Sequence, residues 1–362
     1  MSLLLSPLTL RGTTMRNRAW AAPMCQYSSV DGRVGDWHLA HLGGLARGGA
    51  GLVISEAAAV TPQGRITPSD AGIWDDAQAD DWSRITRFVA AQGAVPGIQL
   101  AHAGRKASTQ RPWDGTGYVA PADGGWSTAA PSALAHGAWP APEELTSAGI
   151  ADIVRAFRDA AVRADGAGFE VAELHAAHGY LLHQFLSPLS NRRTDGYGGD
   201  LAGRSRALRE VVTAVREVWP DAKPLLVRLS ATDWADGGWD VDETVELSRG
   251  LRELGVDLVD VSSGGNVPTQ QVAMGPGYQV PFARAVREGA GVPTAAVGLI
   301  TEPAQAEQVL AEGSADAVLL ARALLRDPHW VLRAAGELGD DVAWPPQYAR
   351  AKPQVVAAAG SR

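Results

Sequence analysis

His175, His178, Tyr180 and His183 fall within nine positions of the stretch LHAAHGYLLHQF, residues 174–185. Two imidazoles three residues apart can face one side of a helix and hold one ion between them. They can equally hold one oxygen, and the spacing alone leaves both open. A metal would need a third ligand, for which Glu173, two residues before His175, is a candidate because it points the same way on a strand. No HExxH pattern accompanies it, and the single cysteine, Cys25, excludes a thiolate set, so no metal is expected. Of the 32 basic residues only Lys106, Lys223 and Lys352 are lysines, and Lys106 is the one placed for Schiff-base chemistry in a barrel lyase or aldolase.

The elements that must position these groups are legible as periodicity. Short apolar, β-branched runs alternate with amphipathic stretches along the chain, the pattern of βα units and a parallel sheet. The runs are 18–23, 51–57, 97–101, 168–174, 225–229, 258–261, 293–297 and 317–320. Helical spacing of apolar residues marks 147–163, 201–218 and 242–254. Eight alternations in 362 residues predict an α/β fold, a single (β/α)8 TIM barrel spanning residues 1–362 as one domain. A long insertion, 108–144, rich in Gly, Pro, Trp and Ala, interrupts the third unit and is expected to form a lid or subdomain over the mouth. The tail 351–362 reads as loosely ordered.

Composition narrows the partners. With 46% apolar and 20% charged residues the chain is ordinary for a globular enzyme, and a formal net charge of −8 argues against nucleic acid or an anionic membrane surface. One cysteine cannot hold an iron–sulfur cluster, so any redox chemistry must use an organic cofactor. The start MSLLLSPLTLRG lacks a basic leader and Pro7 breaks its apolar run. No uncharged apolar run reaches about eighteen residues. Neither a signal peptide nor a membrane helix is expected, and the expected location is cytoplasmic.

On a barrel, chemistry collects where strands end. Pro23-Met24-Cys25-Gln26-Tyr27 follow the first run, Gln99, His102, Arg105 and Lys106 the third, His175 and His178 the fourth, and Arg228 lies in the fifth. Each alone is read most simply as a satisfied structural group, but clustering on one face of several strands favours a site. Gly298 and the amides of Ala321 and Arg322, after the seventh and eighth runs, supply the usual barrel phosphate position.

APMCQYSS, EAAAVTPQGRI, GIQLAHAGRKA, HAAHGYLLHQFLSPLSNRRTDGYGG, VRLSATDW, VDLVDVSSGG and ARALLRDPHW together resemble the Old Yellow Enzyme family of FMN-dependent ene-reductases, in its shorter, thermophilic-like bacterial subclass. The resemblance covers about Leu4 to Arg350. It implies FMN at the barrel mouth, NADPH or NADH as reductant, small-molecule electron-poor alkenes such as enones and quinones, or nitro compounds, as substrates, and a homodimer or homotetramer. Carried over by position, Ala22, Pro23, Met24, Cys25, Ala57, Gln99 and His175 line the flavin, Cys25 adjusting its potential. Arg228 lies at its N1 and O2 edge, and Gly298, Ala321 and Arg322 lie at its phosphate. His175 and His178 bind the substrate carbonyl, Tyr180 donates the proton, and Tyr27 and Lys106 touch the substrate. Hydride passing from N5 to the β-carbon drives charge onto the carbonyl oxygen, where two imidazole donors stabilise it. Ala321 replaces the family's usual glycine, and Tyr348-Ala349-Arg350 matches an element that reaches the neighbouring subunit's site. A flavin-binding redox sensor without ene-reductase activity is the remaining alternative.

Overall fold

A computed structural model describes residues 2–353; the larger part of the tail singled out above, 354–362, lies outside the described residues. Eight parallel strands close into a barrel. They are β1 (Ala19–Ala21), β2 (Leu52–Ala59), β3 (Val95–Ala101), β4 (Val171–Ala176), β5 (Leu225–Ser230), β6 (Leu258–Ser262), β7 (Thr294–Ala296) and β8 (Ala317–Leu320). The outer helices are α1 (Asp36–Arg47), α2 (Asp76–Ala91), α3 (Ser147–Gly166), α4 (Leu201–Arg216), α5 (Val241–Glu253), α6 (Val280–Ala290), α7 (Pro303–Ala311) and α8 (Trp330–Glu337). Every expected strand is present, with ends displaced by up to three residues where ladder bonds rather than composition set the limit.

Each strand is buried on both faces, which is why it reads as a continuous apolar run. Alternate residues divide into two cores. Trp20, Ile54, Val171, Leu226, Leu258 and Leu319 fill the interior, while Val53, Leu100, Leu174, Val227, Val259 and Val318 meet the helices. A hairpin that periodicity did not reveal, Leu8–Leu10 paired with Thr13–Met15, adds Leu10 and Met15 to the interior cluster. Helix starts follow side-chain capping. Asp75 accepts from the Ala77 amide, Thr146 from Gly149, Asp200 from Gly203 and Asp240 from Glu243, each filling a donor the first turn leaves open.

The inserted stretch is folded, not structureless. Ala129–Ala130 pairs with Glu143–Glu144, and Ser108 accepts from the Val119 amide. It packs on several βα loops: Trp126 Nε1 donates to the Gln63 carbonyl, Trp113 meets Tyr27 edge-on at 5.8 Å, and Arg105 donates to the Leu134 carbonyl. Arg193, beyond β4, donates to the Pro131 carbonyl. Among the described residues no helix is long and apolar enough to cross a membrane.

Candidate active site

The loop after β1 hangs from a buried carboxylate. The Gln26 amide donates to Glu56 Oε2 at 2.9 Å, and Glu56 Oε1 lies 3.0 Å from His38 Nε2 on α1. His38 Nδ1 accepts from the Gly35 amide, so its neutral ring carries the proton on Nε2, aimed at Glu56. Glu56 can point this way because the β2–β3 register shifts between Ile54 and Ala57. The loop brings Ala22, Pro23, Met24, Cys25 and Tyr27 to the mouth. Cys25 interacts with the Ala57 backbone and the Tyr27 hydroxyl; burial pushes its thiol up, and Asp70 and Glu56 add to the shift. Burial likewise raises the Asp70 carboxyl to about 7.

Across the barrel, Gln99 on β3 stands in register with Glu173 on β4, and its Nε2 donates to Glu173 Oε1 at 2.7 Å. Arg228 on β5 lies in register with both His175 and Asp260, its Nε 2.8 Å from Asp260 Oδ2. Glu173 and Asp260 are fully buried. Burial pushes both carboxyls up, so one proton is shared between two acids beside one guanidinium. Glu173 is thus turned to Gln99 and Asp260. Among the described residues no group of three His, Cys, Asp or Glu side chains converges as a metal-ligand set.

The turn after β4 is held from several directions. His178 adopts the left-handed region at φ 59°, a conformation a non-glycine residue keeps only when its surroundings impose it. Its amide donates to Ser230 Oγ at 2.9 Å and its carbonyl accepts from Lys106 Nζ at 2.8 Å. Next to it, the Gly179 amide donates to His183 Nδ1 at 2.8 Å. A Cβ on Gly179 would stand 2.3 Å from the Gly265 carbonyl oxygen, so only glycine fits. The result is a cluster in which His175 Nε2 and His178 Nδ1 face each other at 3.4 Å and the Tyr180 ring lies 5.0 Å from His175. Burial, then Arg228, hold both imidazoles well below their ordinary range, so both are neutral; burial raises the Tyr180 phenol, which stays protonated. Lys106 also donates to the Gly265 carbonyl and lies 5.1 Å above the Tyr180 ring; burial lowers its ammonium to about 8.

His183 is fully buried and 3.0 Å from Asp233 Oδ1. Burial would raise the Asp233 carboxyl, but His183, Ser187 and the Trp239 amide outweigh it and hold it down to about 2. A depressed carboxylate stabilises the fold above its ordinary range and loses that contribution as pH falls through the folded value. Asp233→Asn is expected to cost on the order of 2 kcal/mol at neutral pH, and the deficit should shrink between about pH 4 and 2. Thermal unfolding of both proteins across that range checks it; a pH-independent deficit rules the assignment out.

After β7 and β8 a cleft of about 210 Å³ is lined by Gly298, Ala321 and Arg322 together with Ser262, Tyr278 and Gln279. Gly298 has φ 118°, and a Cβ there would stand 2.7 Å from Gln279 Nε2. Ala321 precedes the short helix Arg322–Arg326, and the Arg322 amide has no backbone acceptor among the described residues. The Arg322 guanidinium is exposed, with no hydrogen bond or ion pair among the described residues. Free donors, a cation and a close-fitting glycine suit a phosphate; the buried guanidinium of Arg228, beside Asp260 and Glu173, suits the anionic edge of a flavin ring. Arg350 is not brought to this mouth by its own chain. It is exposed on the turn Pro346–Ala351, where its neighbour Tyr348 packs against His329 and beneath Arg47. Ser230, Ser262, Asp260 and Gln279 are missed by sequence reasoning; the serines ending VRLS and VDVS occupy matched strand positions, the one signal that marks them.

A mouth of this kind, on an eight-stranded barrel with a cleft suited to an anion after the last two strands, fits a flavin-dependent oxidoreductase. Residues 3–341 match the profile of the NADH:flavin oxidoreductase / NADH oxidase family, and the chain belongs to that family, the Old Yellow Enzyme family its motifs resemble. It is an NAD(P)H:flavin oxidoreductase with FMN as cofactor, and the lysine-based lyase reading is thereby overturned. The NADPH dehydrogenase of Geobacillus thermodenitrificans is 49% identical over 352 residues, covering 96% of this chain and 98% of that protein. That of Bacillus subtilis is 44% identical over 350 residues, with the same coverage. Morphinone reductase superposes with a TM-score of 0.78 at 29% identity, over 96% of this chain and 92% of that one. A 2-naphthoyl-CoA reductase shares the fold with a TM-score of 0.83 at 24% identity, and this chain spans about half its length, 52%.

Proposed function

We propose that this enzyme reduces activated C=C bonds of α,β-unsaturated carbonyls, quinones or related electron-poor alkenes at the expense of NAD(P)H. The observation that carries the reading is the convergence of His175 Nε2 and His178 Nδ1 beside the Tyr180 ring. FMN, when bound, would supply a two-electron carrier between the nicotinamide and the alkene. Ala22, Pro23, Met24, Cys25, Ala57, Gln99 and His175 would line its ring, Arg228 would favour its anionic reduced form, and Gly298, Ala321 and Arg322 would hold its phosphate. The two imidazoles, both neutral, donate to the carbonyl oxygen and stabilise the enolate that forms there. Tyr180, kept protonated by burial, protonates the α-carbon. Tyr27 and Lys106 touch the substrate, and Lys106 also donates to the His178 carbonyl. Arg350, exposed on its own protomer, is assigned to the mouth of a neighbouring subunit in a homodimer or homotetramer. The cytoplasm, where nicotinamide is available, is the proposed location.

Purified protein is expected to show a flavin spectrum that bleaches under NADPH or NADH without oxygen and returns on adding 2-cyclohexenone. Bleaching with no recovery by any enone, quinone or nitroalkene refutes the reading and favours a redox-sensing role.

A further inference from the structure

Ser262 ends β6, buried, with Oγ 2.7 Å from His178 Nε2 and 3.3 Å from Gln279 Oε1. Gln279 is held in place on both sides: Ser263 Oγ donates to its Oε1 at 2.6 Å, and its Nε2 donates to the Val297 carbonyl at 2.9 Å. At the other end of the row, His175 Nδ1 accepts from the Ala177 amide at 3.3 Å, so the neutral His175 ring carries its proton on Nε2. That N–H faces His178 Nδ1 at 3.4 Å. The distances therefore define one directed chain. His175 Nε2–H points to His178 Nδ1, His178 Nε2–H to Ser262 Oγ, and the Ser262 hydroxyl to Gln279 Oε1. In this arrangement His178 is the Nε2–H tautomer, and its Nδ1 is an acceptor.

A substrate carbonyl oxygen needs the opposite. To donate to it alongside His175, His178 must carry its proton on Nδ1, which leaves Nε2 as an acceptor that requires a donor. The Ser262 hydroxyl is in place to be that donor, because its hydrogen can rotate from Gln279 Oε1 to His178 Nε2. Gln279 loses little by this, since Ser263 continues to donate to it. We propose that Ser262 is a positioning residue that switches the tautomer of His178, from Nε2–H in the resting site to Nδ1–H when a carbonyl binds. The imidazole is neutral in both states: one proton leaves Nε2 and one arrives at Nδ1, so the net charge of the buried site is the same before and after the carbonyl binds. The proposal rests on the reading of His175 and His178 as carbonyl donors.

The test uses the oxidised holoenzyme, on which 2-cyclohexenone binds without turnover. ¹⁵N spectra of the histidine rings are recorded with and without it. The expected result is that His178 shows an unprotonated Nδ1 alone and a protonated Nδ1 with the enone, while His175 keeps Nε2–H. Ser262→Ala, which removes the hydroxyl, is expected to raise the Kd for 2-cyclohexenone about tenfold, the worth of one hydrogen bond. One tautomer of His178 in both states overturns the switch, as does unchanged enone affinity in Ser262→Ala. If the enone perturbs neither imidazole, the carbonyl-donor reading itself fails, and the switch with it. The wild-type spectra decide the tautomer whether or not the variant folds.

Discussion

Removing either imidazole donor, as in His175→Ala or His178→Ala, is expected to lower the rate of enone reduction on the order of 10²- to 10³-fold. The argument is electrostatic. Negative charge develops on the carbonyl oxygen in a site where His175 is nearly inaccessible to water, and N–H donors already aimed at the bound carbonyl stabilise it without further reorganisation. Burial keeps both rings neutral, so they act as hydrogen-bond donors and not as charges, and their contribution should not titrate between about pH 6 and 9. The double variant should be less impaired than the product of the two single losses, because the donors serve one oxygen. Single-turnover oxidation of the reduced enzyme by 2-cyclohexenone measures the effect; an acid limb set by a histidine, or undiminished rates in both single variants, would sink the assignment.

Tyr180→Phe should slow the same half-reaction by roughly 10²- to 10⁴-fold, the span of a positioned general acid. Reduction by NAD(P)H needs no proton at the alkene α-carbon, so bleaching by the nicotinamide should proceed as in the parent enzyme. That asymmetry distinguishes a proton donor from a group that merely packs against His175 at 5.0 Å. The sign of its pH response is also fixed. Burial raises the phenol well above its ordinary value, so the acid form persists through the alkaline range and no loss of rate should appear near about pH 10. Equal slowing of both half-reactions would argue that Tyr180 is structural.

The barrel was legible because each strand is buried on both faces, so apolar residues predominate in β2, β5 and β6, interrupted by polar residues such as Glu56, Arg228 and Asp260. Helix starts were nearly as plain, since Thr146, Asp200 and Asp240 announce their caps locally. What stayed hidden depends on partners distant in the chain. The stretch 108–144 has no periodicity, and its order comes from single side chains reaching elsewhere, such as Trp126 to Gln63 and Arg193 to Pro131. Glu173 read as a spare ligand beside the histidines, because nothing local shows that Gln99 and Asp260 lie against it. The histidine pair and Tyr180 were visible as a motif. The serines and the glycine that fix their geometry were not, since a hydroxyl or a glycine at a strand end is too common to single out.

The pinned turn at His178 bears on how tightly so small a molecule can be held. Ser230, Lys106 and His183 already fix the backbone around the reacting groups. A ligand arriving there therefore immobilises little that was free, and the ordering entropy that usually erodes affinity is largely spent when the barrel folds. Affinity for the carbonyl group need not rest on a wide contact area. The carbonyl of an activated alkene can be held by two hydrogen bonds, leaving size selection to outer walls such as the exposed Trp113 beside Tyr27.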